Sequence, residues 1–247
     1  MKYEDTIIII PARYNSTRLP GKSLADINGK PMVVRVMNIA KSLDLCDVLV
    51  ATESQNVVDI VKQYGGECIL TDDTLNSGTD RIYQALQKTN RDGKYKYIIN
   101  LQGDMPNVDK QVIIDVIEML HKNSNIKMAT AIAKIEDKSW IDLPQVVKAV
   151  ICYNEKENCH RCLYFTRAGC PTGIGDKYAH LGIYGYTAET LEKFISLQQS
   201  LLEKSEKLEQ LRALENGIDI YACIVKNFPI SVDVKEDLEK ARQLIND

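Results

Sequence analysis

The chain has 247 residues, with 31 Lys and Arg against 34 Asp and Glu, for a net charge of −3. This balance argues against a general nucleic-acid binder, which needs a basic face, while 45% hydrophobic and 26% charged residues suit a sizeable core rather than disorder. No apolar run reaches the ~18–20 residues of a membrane span, the opening MKYED carries no cationic signal region, and seven cysteines without framework spacing point to a reduced, cytoplasmic setting.

In chain order, residues 6–11 form an aliphatic run stopped by proline, the pattern of a strand buried on both faces. Residues 31–43 carry a helical stripe at Met32, Val36, Ile39 and Ala40. A strand at 47–51, a helix at 57–64 closed by Gly65-Gly66, a strand at 68–71, a helix at 80–87, a strand at 97–101 and a helix at 112–120 follow. This alternation predicts an α/β fold with a parallel sheet. After about residue 126 the pattern changes to strands at 128–135, 146–153, 162–166 and 180–186 with short polar connections. Helices are predicted at 187–197, with Thr187 as N-cap, at 201–214 as one amphipathic segment, and at 236–245, with a strand at 218–225 between the last two. The expected organisation is a single domain over 1–247 containing a mixed-sheet insertion.

Three segments carry chemistry. The stretch from Pro11 to Lys22 follows the first strand directly and sets Arg13, Arg18 and Lys22 within ten residues, with Ser16, Thr17 and Gly21 among them. Loops beyond strand carboxyl ends form the ligand crevice of open α/β sheets, and guanidinium and ammonium groups there suit a polyphosphate. The pattern is neither a Walker A nor a GxGxxG loop; a solvated basic turn is the plainer alternative. In Asn100-Leu-Gln-Gly-Asp104 a carboxylate ends a strand, a common way to hold Mg²⁺ near phosphates. Asp233, just before the last predicted helix, is a second such carboxylate or else an N-cap. Asn76-Ser-Gly-Thr-Asp-Arg81 reads as a turn plus N-cap, or as a polar cradle for a base edge.

PARYNSTRLPGKSL, ATES, SGTDRI, NLQGD, MATA, VVKAV, LYFTRA, HLGIYGY, LEQLRALENG and VDVKEDLEKAR occur in an order that resembles the 3-deoxy-manno-octulosonate (Kdo) cytidylyltransferases, from about residue 7 to residue 245. The resemblance implies a Rossmann-like nucleotidyltransferase sandwich: a central, mainly parallel mixed sheet with a smaller sheet insertion. It also implies the reaction of CTP with Kdo to give CMP-Kdo and pyrophosphate for lipopolysaccharide synthesis, and a homodimer. Residues 1–125 would mainly bind CTP, 126–230 would meet the sugar and the dimer partner, and 231–247 would close the metal loop. Arg13 and Lys22 would hold the CTP phosphates, with Arg18 a lesser contributor. Ala12 and the turn Ser77, Gly78, Thr79, Asp80 and Arg81 would line the cytidine pocket. Asp104 and Asp233 would bind Mg²⁺. Gln102, Arg167, His180, Tyr184, Glu209 and Gln210 would meet the acidic sugar, with Arg167 on its carboxylate.

The chain departs from the family pattern at Met105, where QGDEP would have glutamate, and at Val234, where VDT would have threonine. A CMP-sialic acid synthetase shares the reaction and a similar first loop, and a decayed nucleotide-binding homologue is the alternative from another class. A hexose-1-phosphate nucleotidyltransferase lacks support because its GxGxR loop is absent. Cys159-His-Arg-Cys162 has no second paired motif and is read as part of a hairpin rather than a zinc site.

Overall fold

The protein is described from a computed structural model covering residues 2–75, 77–90 and 93–245; Asn76, which opens the third segment, lies outside them. Two compact units result, residues 1–113 with 229–247, and residues 114–228. The expectation is a single domain with parts divided at 125/126 and 230/231, whereas the compact units divide at 113/114 and 228/229.

The first unit is built on four parallel strands in the order β5-β4-β1-β6: β1 Thr6–Pro11, β4 Asp47–Thr52, β5 Glu67–Leu70 and β6 Tyr97–Asn100. Every residue of β1 is buried, as the aliphatic run predicts. Helices α1 Met32–Lys41, α2 Gln55–Gln63 and α3 Gly78–Thr89 pack against β4, β5 and β1. The chain leaves β1 toward β4 and β5, then crosses back to lay β6 on the other side of β1. That reversal opens a crevice beyond the carboxyl ends of β1 and β6. α4 Lys110–Lys122 leads out of the unit, and α8 Lys235–Leu244 ends it.

One element has no counterpart among the predicted ones, the two-stranded ribbon of β2 Asp26–Ile27 and β3 Lys30–Pro31. Its turn is Asn28-Gly29, with φ of 48° and 81°, the left-handed pair that a tight hairpin needs. Asn28 Nδ2 donates to the carbonyls of Arg242 (2.8 Å) and Ile245 (2.6 Å), fastening the end of α8. Ile27, Met32, Val232, Leu238 and Ala241 form a small core beneath this junction.

The second unit contains β7 Met128–Lys134, β8 Lys148–Asn154, β9 Cys159–Thr166, β10 Tyr178–Thr187 and β11 Ile220–Val225. Its order is β10-β7-β11-β9-β8, and the first residues of β10 also pair with β8, so this five-stranded mixed sheet turns back on itself. Cys159 and Cys162 sit on β9 opposite β8, within the predicted hairpin. The helix α5 Ala188–Ser196 is capped by the Thr187 hydroxyl, which accepts from the Thr190 amide.

The single helix expected at 201–214 is two, α6 Leu201–Glu206 and α7 Leu211–Glu215. Lys207 takes a left-handed conformation, φ 55°, and ends the first. The break brings Arg212 back to Glu203 (3.1 Å) and Glu209 (3.0 Å), nearly buried, with its guanidinium 4.7 Å from the Phe194 ring centroid. Leu208 and Leu211, which follow the break, are buried, but Leu201 at the head of the expected stripe is 82% exposed, so the stripe does not run through both helices.

Candidate active site

Beyond β1 and β6, a cavity of about 300 Å³ opens between the 12–23 loop, Gly78, the Gln102-Gly103-Asp104 turn and Asp233. The two loops approach closely: a Cβ on Gly103 would lie 2.8 Å from the Pro11 carbonyl oxygen, so only glycine fits without displacing backbone. Ala12 is zipped to β4 through its amide on the Ala51 carbonyl, 2.9 Å.

Asp104 and Asp233 come from segments more than a hundred residues apart. The Val232 amide donates to the Asp104 carbonyl at 3.0 Å and sets the two aspartates side by side. Asp237, not Asp233, serves the start of α8: its Oδ2 accepts from the amides of Asp233 (3.1 Å) and Val234 (3.2 Å). The N-cap alternative for Asp233 is therefore corrected, and its carboxylate faces the cavity instead. Lys22 Nζ lies 2.8 Å from Asp104 Oδ2 and 3.1 Å from Asp233 Oδ1, and Arg18 Nη2 lies 3.1 Å from the same Asp233 oxygen. Burial pulls the Lys22 pKa down, but Asp104 and then Asp233 outweigh it and hold the ammonium above its ordinary value. Arg13, also on the wall, donates to the Leu75 carbonyl.

The two carboxylates already converge on one cation, the Lys22 ammonium. Among the described residues no cluster of three His, Cys, Asp or Glu side chains is placed to hold a metal. The pair nevertheless fits Mg²⁺, a hard ion held by one or two carboxylates together with substrate phosphates and water.

The turn before α3 differs from a pocket lined by all five of its residues. Ser77 and Asp80 form a reciprocal capping box, Asp80 N to Ser77 Oγ at 3.0 Å and Ser77 N to Asp80 Oδ2 at 3.0 Å. Thr79 is buried, and the Arg81 side chain, 1% exposed, pairs with Glu53 at 3.2 Å. Gly78 is the member that lines the cavity, beside Gln102, whose Nε2 donates to Asn100 Oδ1 at 2.9 Å. Capping chemistry explains the serine and aspartate, as the plainer sequence reading has it. Glu53, inside ATES, has no local periodicity or spacing that marks it.

The remaining predicted residues lie in the second unit. Thr130 has one hydroxyl proton, which goes to the Ile183 carbonyl at 2.7 Å; its lone pair then accepts from His180 Nε2 at 3.0 Å. This contact sits where β10 slips register against β7 between Leu181 and Tyr184. The His180 ring packs at 4.9 Å from Phe165 and 5.3 Å from Tyr184, centroid to centroid. Burial pushes its pKa down to about 3 and pushes the Tyr184 phenol up. Arg167 donates to the carbonyls of Glu206 (2.9 Å), Pro144 (2.9 Å) and Lys207 (3.3 Å). Three of its five donors thus already hold backbone, and two are left. Lys148, unsuspected from sequence, is fully buried and donates to Leu143, Val146 and Arg167 carbonyls at 3.0, 2.7 and 2.6 Å. Glu209 pairs with Arg212, and Gln210 is buried.

The His180 environment has a measurable consequence. Its folded pKa lies below the ~6.5 of the unfolded ring, so stability is full above about pH 6.5 and falls as pH drops toward 3. Between pH 7 and 5, the wild-type chain is expected to lose about 2 kcal/mol more than a His180→Gln variant. Urea midpoints at the two pH values check this; parallel losses would show a ring that protonates freely in the folded state.

A parallel sheet whose strand order reverses beside a cation loop and paired aspartates is suited to holding a nucleotide's phosphates, and comparison with known proteins makes the chain a nucleotidyltransferase. A sequence model of the cytidylyltransferase family matches residues 7–220. A 3-deoxy-manno-octulosonate cytidylyltransferase of Rhodospirillum rubrum is 44% identical over 97% of this chain and 95% of the relative. One from Bartonella quintana is 46% identical over 97% and 98%. A solved CMP:2-keto-3-deoxy-manno-octonic acid synthetase complexed with CTP superposes with a TM-score of 0.90, at 33% identity, covering 98% of both chains. The chain belongs to the cytidylyltransferase family, among the 3-deoxy-manno-octulosonate cytidylyltransferases.

Proposed function

We propose that the protein transfers CMP from CTP to the anomeric hydroxyl of Kdo, releasing pyrophosphate, and so supplies activated sugar for lipopolysaccharide synthesis. The observation that carries this reading is the convergence of Asp104, Asp233 and Lys22 beneath the Arg13/Arg18 loop. Nucleotidyl transfer depends on positioning and charge neutralisation rather than on covalent help from the protein. Asp104 and Asp233 would hold Mg²⁺, which when bound supplies Lewis-acid charge and acidifies the attacking hydroxyl. Lys22, released from the carboxylates, turns its donors to the phosphates, and the Arg13 guanidinium grips them as a fork. In-line attack at the α-phosphorus then expels pyrophosphate toward this loop.

On the sugar side we assign Gln102, Arg167, His180, Tyr184, Glu209 and Gln210. The Thr130 contact leaves His180 Nδ1 as the ring's acceptor for a sugar hydroxyl, and the low pKa keeps the ring neutral. The two donors of Arg167 not on backbone remain for the sugar carboxylate. The proposal includes a cytoplasmic homodimer. Seven free thiols fit a reducing compartment. Exposed Tyr153, Leu163 and Ile224 on three neighbouring strands fit a self-contact; a sedimentation mass of one chain would refute the dimer. No helix among the described residues is long and apolar enough to cross a membrane.

Pyrophosphate release measured with CTP plus Kdo, against CTP alone, tests the reaction; equal rates in both, or none in either, would sink it. In the same assay Arg13→Ala is expected to raise the KM for CTP about tenfold or more, the effect of one lost charge-assisted contact. Arg18→Ala should do less, because its partner Asp233 also holds Lys22. Equal, mild effects would make the loop a solvated basic turn.

A further inference from the structure

The cation loop carries no repeated glycines, yet its shape is defined, and the restraint comes from β4. Glu53 follows that strand and is only 6% exposed in its side chain. Its Oε1 accepts the amide of Tyr14 at 2.8 Å and that of Asn15 at 3.2 Å. The Tyr14 carbonyl in turn accepts from the amides of Ser16 (3.0 Å) and Gly21 (3.1 Å). The peptide of Tyr14 is therefore the knot of the loop. Arg13 precedes it directly, and Lys22 follows Gly21 directly, so one carboxylate fixes the origin of both side chains.

The other oxygen of Glu53, Oε2, lies 3.2 Å from Arg81 Nη1, and the same nitrogen donates to Thr71 Oγ1 and to the Asp72 carbonyl. A buried carboxylate needs such a counterion. The charge of Arg81 is neutralised there rather than offered to the cavity.

We propose that Glu53 is a positioning residue for the anion-binding loop, acting through the Tyr14 and Asn15 amides, with Arg81 as its counterion and not as a nucleotide ligand. The inference deepens, and rests on, the reading of this loop as the triphosphate site. It also separates the loop from phosphate-binding loops that cradle anions with backbone N–H groups. Here the two amides at the loop's entrance already belong to a carboxylate, and the side-chain cations Arg13, Arg18 and Lys22 line the cavity.

The test separates the acceptor from the ion pair. Glu53→Met with Arg81→Met removes both charges and the acceptor while keeping apolar volume, a replacement that buried pairs often tolerate. Glu53→Gln with Arg81→Met restores a carbonyl oxygen for the two amides. Both double variants lack Arg81, so a difference between them reports on the acceptor alone. CTP titrated with Mg²⁺ is expected to bind about tenfold more weakly to the methionine pair than to the glutamine one. Amide exchange at Tyr14 and Asn15 should be faster only in the methionine pair, and the KM for CTP should rise while that for Kdo holds. Equal CTP affinity and equal amide exchange in the two would overturn the proposal. If wild-type protein itself failed to bind CTP, the nucleotide reading would fall while the exchange arm still judged the clamp. Should the methionine pair not fold, Glu53→Asp, which keeps the charge and shortens the reach, is measured the same way. Faster exchange with weaker CTP binding supports the clamp, and wild-type values for both overturn it.

Discussion

Asp104→Asn is expected to lower kcat by about a hundredfold or more at saturating Mg²⁺, and Asp233→Asn to do the same. Each substitution replaces an anionic oxygen by a neutral amide in a site where charge neutralisation carries the reaction. The fold should be nearly indifferent. The bond that aligns the two segments runs from the Val232 amide to the main-chain oxygen of Asp104, which asparagine retains. The ion pairs lost are partly exposed, with side-chain exposures of 22% for Asp104 and 39% for Asp233, and such pairs are worth at most about 1 kcal/mol. A large fall in turnover with a nearly unchanged thermal midpoint is thus the signature of the two-aspartate site. Near-normal kcat in either variant would defeat it. In the metal-free protein the two variants should also differ. Asp233→Asn frees Lys22 from one partner and Arg18 from its aspartate, loosening the loop, whereas Asp104→Asn leaves the Arg18 contact in place.

What was legible in the sequence was whatever a local pattern dictates. The aliphatic run of β1 announces a doubly buried strand, and Thr187 and Gly65 mark helix ends where the structure has them. The cation loop and Asp104 could be placed on strand ends without coordinates, because an alternating α/β order fixes where loops gather. What stayed hidden depends on partners far along the chain. Glu53 is an undistinguished residue until the Tyr14 and Asn15 amides and Arg81 surround it. Lys148 reads as an ordinary strand lysine, yet three carbonyls take its three protons. The break at Lys207 lets Arg212 meet Glu203 across it, a pairing that no stripe of leucines reveals. The Asn28-Gly29 hairpin differs from these, since its dipeptide is a strong local turn signal that needs no distant partner. Asp237 shows the finer limit: three acidic residues, Asp233, Glu236 and Asp237, stand near one helix start, and only geometry tells which one caps it.

Met105 stands where the QGDEP pattern would have glutamate, and Met105→Glu sets two physical effects against each other. A carboxylate beside Asp104 adds a further oxygen near the metal loop and, if it reached the cavity, would reduce the Mg²⁺ needed for half-maximal rate. Burial decides against that outcome. Met105 is 5% exposed, and among the described residues Gly103 and Asp104 line the cavity while Met105 does not. Its backbone is also held, with its amide on the Gln102 carbonyl (3.4 Å) and its own carbonyl accepting from Val108 (3.2 Å), so the turn does not swing out freely. A glutamate there must leave water beside Asp104, an existing negative charge, and an unpaired buried carboxylate costs several kcal/mol or stays protonated. Met105→Glu is therefore expected to lower stability by about 3 kcal/mol and to reduce kcat without changing the Mg²⁺ dependence. Met105→Leu, close in volume and uncharged, should cost less than about 1.5 kcal/mol. Urea denaturation with Mg²⁺ titration of the rate distinguishes the two effects. A glutamate variant as stable as wild type, with a lowered Mg²⁺ requirement, would mean that the turn opens toward the cavity and that burial at this position is not a constraint.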